Sequence, residues 1–159
     1  MTQYIEAPTI VNMLHGHAIF LAGGITGCVN WQKVAKNALM KSNKYDFIVN
    51  PRRENFDLLD VDVAEEQIQW EADQLQRCNE ILFWFSSETV QPITLFELGR
   101  YCTKKPIIHV GCDPEYSRKF DVKTQMSIYR PDIKIWDNLD DMLEYVAGDI
   151  ITLDNPLLF

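Results

Sequence analysis

The sequence predicts an α/β fold: one domain over residues 1–159, built as a doubly wound five-stranded parallel sheet with helices on both faces. Three observations predict it. Runs such as "AIFLA" (18–22), "EILFWF" (80–85) and "PIIHVG" (106–111) are apolar on both sides, as strands buried on two faces must be. Segments with helical periodicity alternate with them, the arrangement of parallel strands joined by crossover helices. No repeat, low-complexity tract or linker divides the 159 residues, a length that suits one domain with its own core.

The elements follow in order. The strand at 18–22 runs directly into "GGITG". Asn30 is placed to cap a helix through about Lys41, with Val34, Ala35, Ala38 and Leu39 on its inner side. "DFIVNP" (46–51) is the next strand, and Pro51 helps to end it. After a polar loop comes a helix from about Val63 to Cys78, then the strand at 80–85 and a helix from Thr94 to about Thr103. Strands at 106–111 and "IKIW" (133–136) and a helix "LDDMLEYVAG" (139–148) complete a fold of Rossmann or flavodoxin type.

Composition narrows the function classes. Hydrophobic residues make up 47% and charged residues 24%, the balance of a soluble globular protein. A net charge of -8 argues against a protein that grips a nucleic-acid polymer along its backbone, while leaving a small anionic ligand possible. The four cysteines, Cys28, Cys78, Cys102 and Cys112, form no C-x-x-C pair, so no zinc site is expected. No basic segment with a long apolar run opens the chain, and no apolar stretch is long enough to span a bilayer. A cytoplasmic protein with reduced thiols is the expectation.

In doubly wound sheets, ligands bind beyond the carboxyl ends of the strands. That rim carries the "GGITG" loop (Gly23, Gly24, Ile25, Thr26, Gly27), the "NPRREN" loop with Asn50 and Arg52, and "SSETVQPIT" with Gln91 and Thr94. The glycine loop has no following G-K-[ST], so it is not a P-loop. It is either an ordinary strand-to-helix turn or a set of backbone amides for a phosphate or ribose hydroxyl. Arg52 and Arg53 either meet a phosphate or base edge or form a solvated basic pair.

Two carboxylates stand out. Thr94-Leu95-Phe96-Glu97 matches the S/T-x-x-E capping box, in which Glu97 would reach back to the helix start. The same helix N-terminus would favour an ionised, nucleophilic carboxylate. On the 63–78 helix, Ala64, Ile68, Leu75 and Cys78 share a face with Glu71 in its middle, while Glu66, Gln69, Asp73 and Arg77 point the other way. An acid in an apolar stripe needs a partner or a cleft, so Glu71 is either a buried ion pair or an acid with a raised pKa. One carboxylate to attack and one to protonate a leaving group is the equipment for chemistry at a glycosidic carbon. Trp70, on the polar side of its helix, suggests a subunit interface or a ring lying flat on the surface. His15 and His17 lack a third metal ligand nearby, and His109, in an apolar strand, suits a core position.

"LAGGITG", "QIQWEADQLQRCNEILFWF" and "TLFELGRY" together resemble the nucleoside 2-deoxyribosyltransferases and the related deoxynucleoside-5′-monophosphate N-glycosidases. The likeness runs from about Ala18 to Val110 and is most specific in its last two motifs. It implies that Glu97, in "ELG", is the nucleophile. Glu71 falls where the family carries its second carboxylate, more often an Asp, eight residues before a strand-opening acid that is Asn79 here. The glycine loop would hold the sugar, or in the N-glycosidases the 5′-phosphate. Gln91 stands where many relatives carry an Asp or Ser at the 5′ end of the substrate.

The resemblance further implies a small-molecule nucleoside or nucleotide as the ligand, no cofactor or metal, and a homodimer or larger homo-oligomer, with "DNPLLF" resembling tails that enter a neighbour's site. Its mechanism would be a double displacement that transfers or hydrolyses the N-glycosidic bond of a 2′-deoxynucleoside or its 5′-monophosphate. The alternative is a nucleotide-binding module that keeps the pocket without turnover.

Overall fold

A computed structural model describes residues 1–12, 15–53 and 60–148. Strands β1 (Gln3–Glu6), β2 (Ala18–Gly23), β3 (Phe47–Asn50), β4 (Glu80–Phe85), β5 (Ile107–Cys112) and β6 (Ile135–Trp136) form one parallel sheet in the order β1-β3-β2-β4-β5-β6. The helices are α1 (Trp31–Ser42), α2 (Val61–Arg77), α3 (Pro92–Tyr101), α4 (Lys119–Tyr129) and α5 (Leu139–Ala147). The doubly wound class is as expected, with six strands rather than five. The additional strand is β1, a four-residue edge strand whose only neighbour is β3, so it carries no two-sided apolar run for a reader to find. Helix α4 adds to the expected elements; its apolar residues form no inner stripe, since Phe120, Ile128 and Tyr129 are exposed and only Val122 and Met126 are buried.

Strand alternation builds two cores. Ile19 and Leu21 point to one face, where Trp31, Ala35 and Leu39 of α1 meet Met142, Leu143 and Val146 of α5. Phe20 and Ala22 point to the other, against Trp70 and Leu75 of α2, Leu98 and Tyr101 of α3, and Val122 of α4. Each large side chain so buried contributes on the order of 1.5–3 kcal/mol, which is why the central strands read as continuous apolar runs.

Asn30 caps α1 as expected, its side chain accepting from Lys33 N–H, but Val34 is exposed. On α2 the expected inner stripe is shifted. Ile68 is 67% exposed, whereas Gln67, Trp70, Gln74 and Leu75 are buried. Trp70 packs on Phe20, and its Nε1–H donates to Thr9 O at 2.8 Å, so the surface or interface role expected for it is overturned. The apolar count of Ala64 and Ile68 set the wrong phase, because the true inner face includes two glutamines.

The acid that opens β4, Glu80, is 2% exposed at the amino end of the sheet. Its oxygens accept from His17 Nε2 at 2.6 Å, His109 Nε2 at 2.8 Å and Tyr45 Oη at 2.7 Å. His109 is thus a half-buried partner of a carboxylate. No group of three His, Cys, Asp or Glu among the described residues is arranged to hold a metal. No described helix is long and apolar enough to cross a membrane. The "DNPLLF" tail lies outside the described residues.

Candidate functional site

The chain reverses direction across the sheet between β2 and its neighbours. From β2 it passes through α1 on one face to β3, then through α2 on the other face to β4, which lies on the far side of β2. Loops leaving β2, β3 and β4 therefore splay apart at their carboxyl ends and leave a crevice. A cavity of about 650 Å³ lies there, walled by α2 and α3, a size that suits a nucleoside-sized ligand. Gly23, Gly24, Ile25, Thr26, Arg52, Glu71, Gln91, Thr94 and Glu97 all line it. Residues far apart in sequence thus converge as expected. Gly27 and Asn50 do not line it. Gly27 lies at the exposed turn with φ +72, and buried Asn50 donates to Tyr4 Oη at 2.7 Å while accepting from Arg52 N–H at 2.9 Å.

The start of α3 decides what Glu97 does. Gln91 takes a left-handed conformation at the N-cap (φ 55) and Pro92 follows at the first helical position, where its missing N–H costs nothing. The helix therefore begins two residues before Thr94, so Thr94 lies inside it and Glu97 is beyond the first turn. The expected Thr94–Glu97 capping box is overturned, and with it the capping role of Glu97. The expected ionising influence of the helix terminus is overturned too, since it fades within that first turn. Burial, reinforced by the charge of Glu71, instead pushes the Glu97 carboxyl up to about 8.

Glu71 reaches the same cavity from α2. Burial pushes its carboxyl up, and one hydrogen bond opposes this: Gln67 Nε2, a turn earlier, donates to Glu71 Oε1 at 2.8 Å. No cation pairs with Glu71 among the described residues, so the ion-pair reading falls away. A half-buried carboxyl raised to about 8 keeps a proton at neutral pH, and with Glu71 beside it raised as well the titration belongs to the pair.

The remaining residues brace the cavity. Gln91 Oε1 accepts from Gly24 N–H at 2.9 Å, and Gln91 Nε2 donates to Ser86 O at 2.7 Å and Thr89 O at 3.2 Å. A Cβ on Gly24 would run into Cys28 Sγ and the Gln91 side chain, so the close approach requires glycine there. Gly24 O accepts from Trp31 Nε1 and Gln32 Nε2 at 3.2 and 3.3 Å. Arg52 donates to Gln32 Oε1 at 3.1 Å and to Val29 O at 3.1 Å, and Arg53 pairs with Glu66 at 2.9 Å. These arginines are held groups at the cavity wall, and the solvated-pair reading does not apply. Sequence reading missed Gln67. Its signal was the i, i+4 spacing to Glu71 on one helix face.

No curated protein matches the chain. The family model described as nucleoside 2-deoxyribosyltransferase like matches residues 16–116, well over half of the chain, a span that holds β2 to β5, the cavity and both carboxyls. The chain belongs to the nucleoside 2-deoxyribosyltransferase-like family.

Proposed function

We propose that this protein cleaves the N-glycosidic bond of 2′-deoxynucleosides or their 5′-monophosphates through a covalent glycosyl ester on Glu97, passing the sugar to a second base or to water. The observation that carries this is the facing of two half-buried carboxyls, Glu97 and Glu71, neither in an ion pair among the described residues, into one cavity at the switch point of the sheet.

A Glu97 oxygen attacks C1′ as the bond from C1′ to the base nitrogen breaks. That bond's electron pair passes to the base, which takes the proton held by Glu71 and leaves neutral. Positive charge developing at C1′ draws the shared proton away from Glu97 and favours its ionised form. A 2-deoxy sugar lacks the electron-withdrawing 2′-hydroxyl, which makes that charge easier to develop. In the second half, a base nitrogen or water attacks C1′ from the opposite side, gives its proton to Glu71 and releases the Glu97 carboxylate, with net retention. None of these steps uses a metal or organic cofactor.

The glycine loop, fixed by Gln91, Trp31 and Gln32, presents backbone amides to the sugar end, and Arg52 and Arg53 supply positive charge at the wall. Thr94 contributes its hydroxyl-bearing side chain beside Glu97. A single 1–159 domain, assembled as a homodimer or larger homo-oligomer in the cytoplasm, completes this reading. The test is base release from deoxynucleosides and their monophosphates, followed by chromatography with and without an acceptor base. New nucleoside in the presence of acceptor identifies a transferase. Free sugar identifies a hydrolase. Binding without release of base identifies a module that holds the ligand without turnover.

A further inference from the structure

Gln67 carries an atom that the folded chain leaves unused. The residue is 6% exposed and lines the cavity, and its Oε1 is buried with no hydrogen-bond partner among the described residues. An unmet buried acceptor costs about 1–3 kcal/mol, so its retention calls for an explanation. Gln74, the other buried glutamine with an unpartnered oxygen, does not line the cavity.

The orientation of the Gln67 amide is dictated by its neighbours. Nε2 lies 2.8 Å from Pro51 O, and a peptide carbonyl can only accept, so the NH2 group must face Pro51. The same NH2 donates to Glu71 Oε1 at 2.8 Å. Glu71 Oε1 is thereby occupied as an acceptor, and a proton on Glu71 resides on Oε2. What the pair leaves open is an acceptor, Gln67 Oε1, and a donor, the Glu71 hydroxyl at Oε2.

We propose, resting on the function above, that Gln67 and Glu71 together read the leaving base and select those with an amino group beside an unprotonated ring nitrogen. Adenine presents that edge through N6–H2 and N7, and cytosine through N4–H2 and N3. The ring nitrogen takes the Glu71 proton while the amino group donates to Gln67 Oε1. Hypoxanthine and uracil place a carbonyl oxygen where the amino group would be, so two acceptors face each other and Gln67 Oε1 stays unpaired. Discrimination by an unpaired buried polar group exceeds what apolar contacts give.

The test measures dissociation constants for E97Q, which holds substrate without turnover, with deoxyadenosine against deoxyinosine and deoxycytidine against deoxyuridine. Each is tried as nucleoside and as 5′-monophosphate, so that preference at the 5′ end does not mask the base. The amino member of each pair should bind tighter by roughly tenfold or more. Adding Gln67→Met, which keeps the side-chain length and removes the amide, should bring each pair within about threefold. Equal binding of amino and oxo members, failure of all to bind, or a preference that survives Gln67→Met overturns the inference. Rates for the wild type separate this from the proposed function. Turnover without preference sinks the base reading alone, whereas selective binding without turnover supports it and removes the glycosyl transfer.

Discussion

Gln91 Oε1 accepts the backbone N–H of Gly24 at 2.9 Å, a bond that ties the loop after β2 to the residue that precedes α3. It spans 67 residues of sequence. With its NH2 donated to Ser86 and Thr89, the Gln91 side chain, itself at the cavity wall, holds the cavity's two lips in register.

Gln91→Ala should therefore loosen the loop. It removes hydrogen bonds worth about 1 kcal/mol each, so the loss of stability should be roughly 2–3 kcal/mol in urea unfolding. KM should rise more than kcat falls, because the chemical groups stay in place while the sugar end is held less firmly. Unchanged stability and KM would show the strut to be dispensable.

Glu80 should make the fold acid-sensitive. Burial works against its ionisation, but hydrogen bonds from His109, His17 and Tyr45 overcome this and hold it down at about 2. A carboxyl lowered from the ordinary 4.5 contributes stability above that value and loses it as pH falls through about 2. The wild type should lose up to about 3 kcal/mol from this group between pH 5 and pH 2. Glu80→Gln should be less stable than wild type at pH 6, and the gap should narrow on acidification. A constant gap across that range would contradict the account.

Trp70→Ala should cost about 3–5 kcal/mol, since it empties a packed site against Phe20, and Trp70→Phe should cost less while losing the bond to Thr9 O. Thermal melts of the two variants give the comparison. A near-neutral alanine variant would restore the surface reading.

How this ring was misplaced shows what the sequence made legible. Strands buried on two faces announce themselves through composition alone, so β2 to β5 could be read directly, and the rim with its loops followed from the doubly wound pattern. Edge strand β1 and α4, whose apolar residues mostly face solvent, have no such mark. On α2 the apolar residues misreport the inner face because Gln67 points into a cavity, where a polar side chain is useful. Thr94 and Glu97 carried the letters of a capping box, yet the helix start was set by Pro92 and by the left-handed backbone turn at Gln91. Pro92 is itself a first-position signal in the sequence, whereas the side-chain pattern does not encode the turn at Gln91. The convergence of Glu71 and Glu97 was legible in part through family resemblance; their mutual effect on ionisation needed the three-dimensional arrangement.

That effect has its own consequence. A carboxyl raised to about 8 means the folded state holds a proton that the unfolded chain, near 4.5, has released. Its contribution is present below 4.5 and is lost as pH rises through about 8. Glu97→Gln, which cannot ionise, should match wild type near pH 4 and exceed it by a few kcal/mol at pH 9. Wild-type turnover should follow a bell-shaped pH profile, falling on the alkaline side as the pair loses its last proton. A flat alkaline limb, or equal unfolding free energies at pH 9, would argue against a shared proton.

The central claim is a bond between sugar and Glu97. A 2′-fluorinated nucleoside withdraws electrons from C1′ and slows both displacements, so the glycosyl ester can accumulate. Incubation with a good leaving-group base, followed by peptide mass spectrometry, should place the sugar mass on Glu97, with none on Glu97→Gln. Steady base release from unfluorinated substrate by an unlabelled protein, or a label that lands on Glu71 instead, would contradict the account.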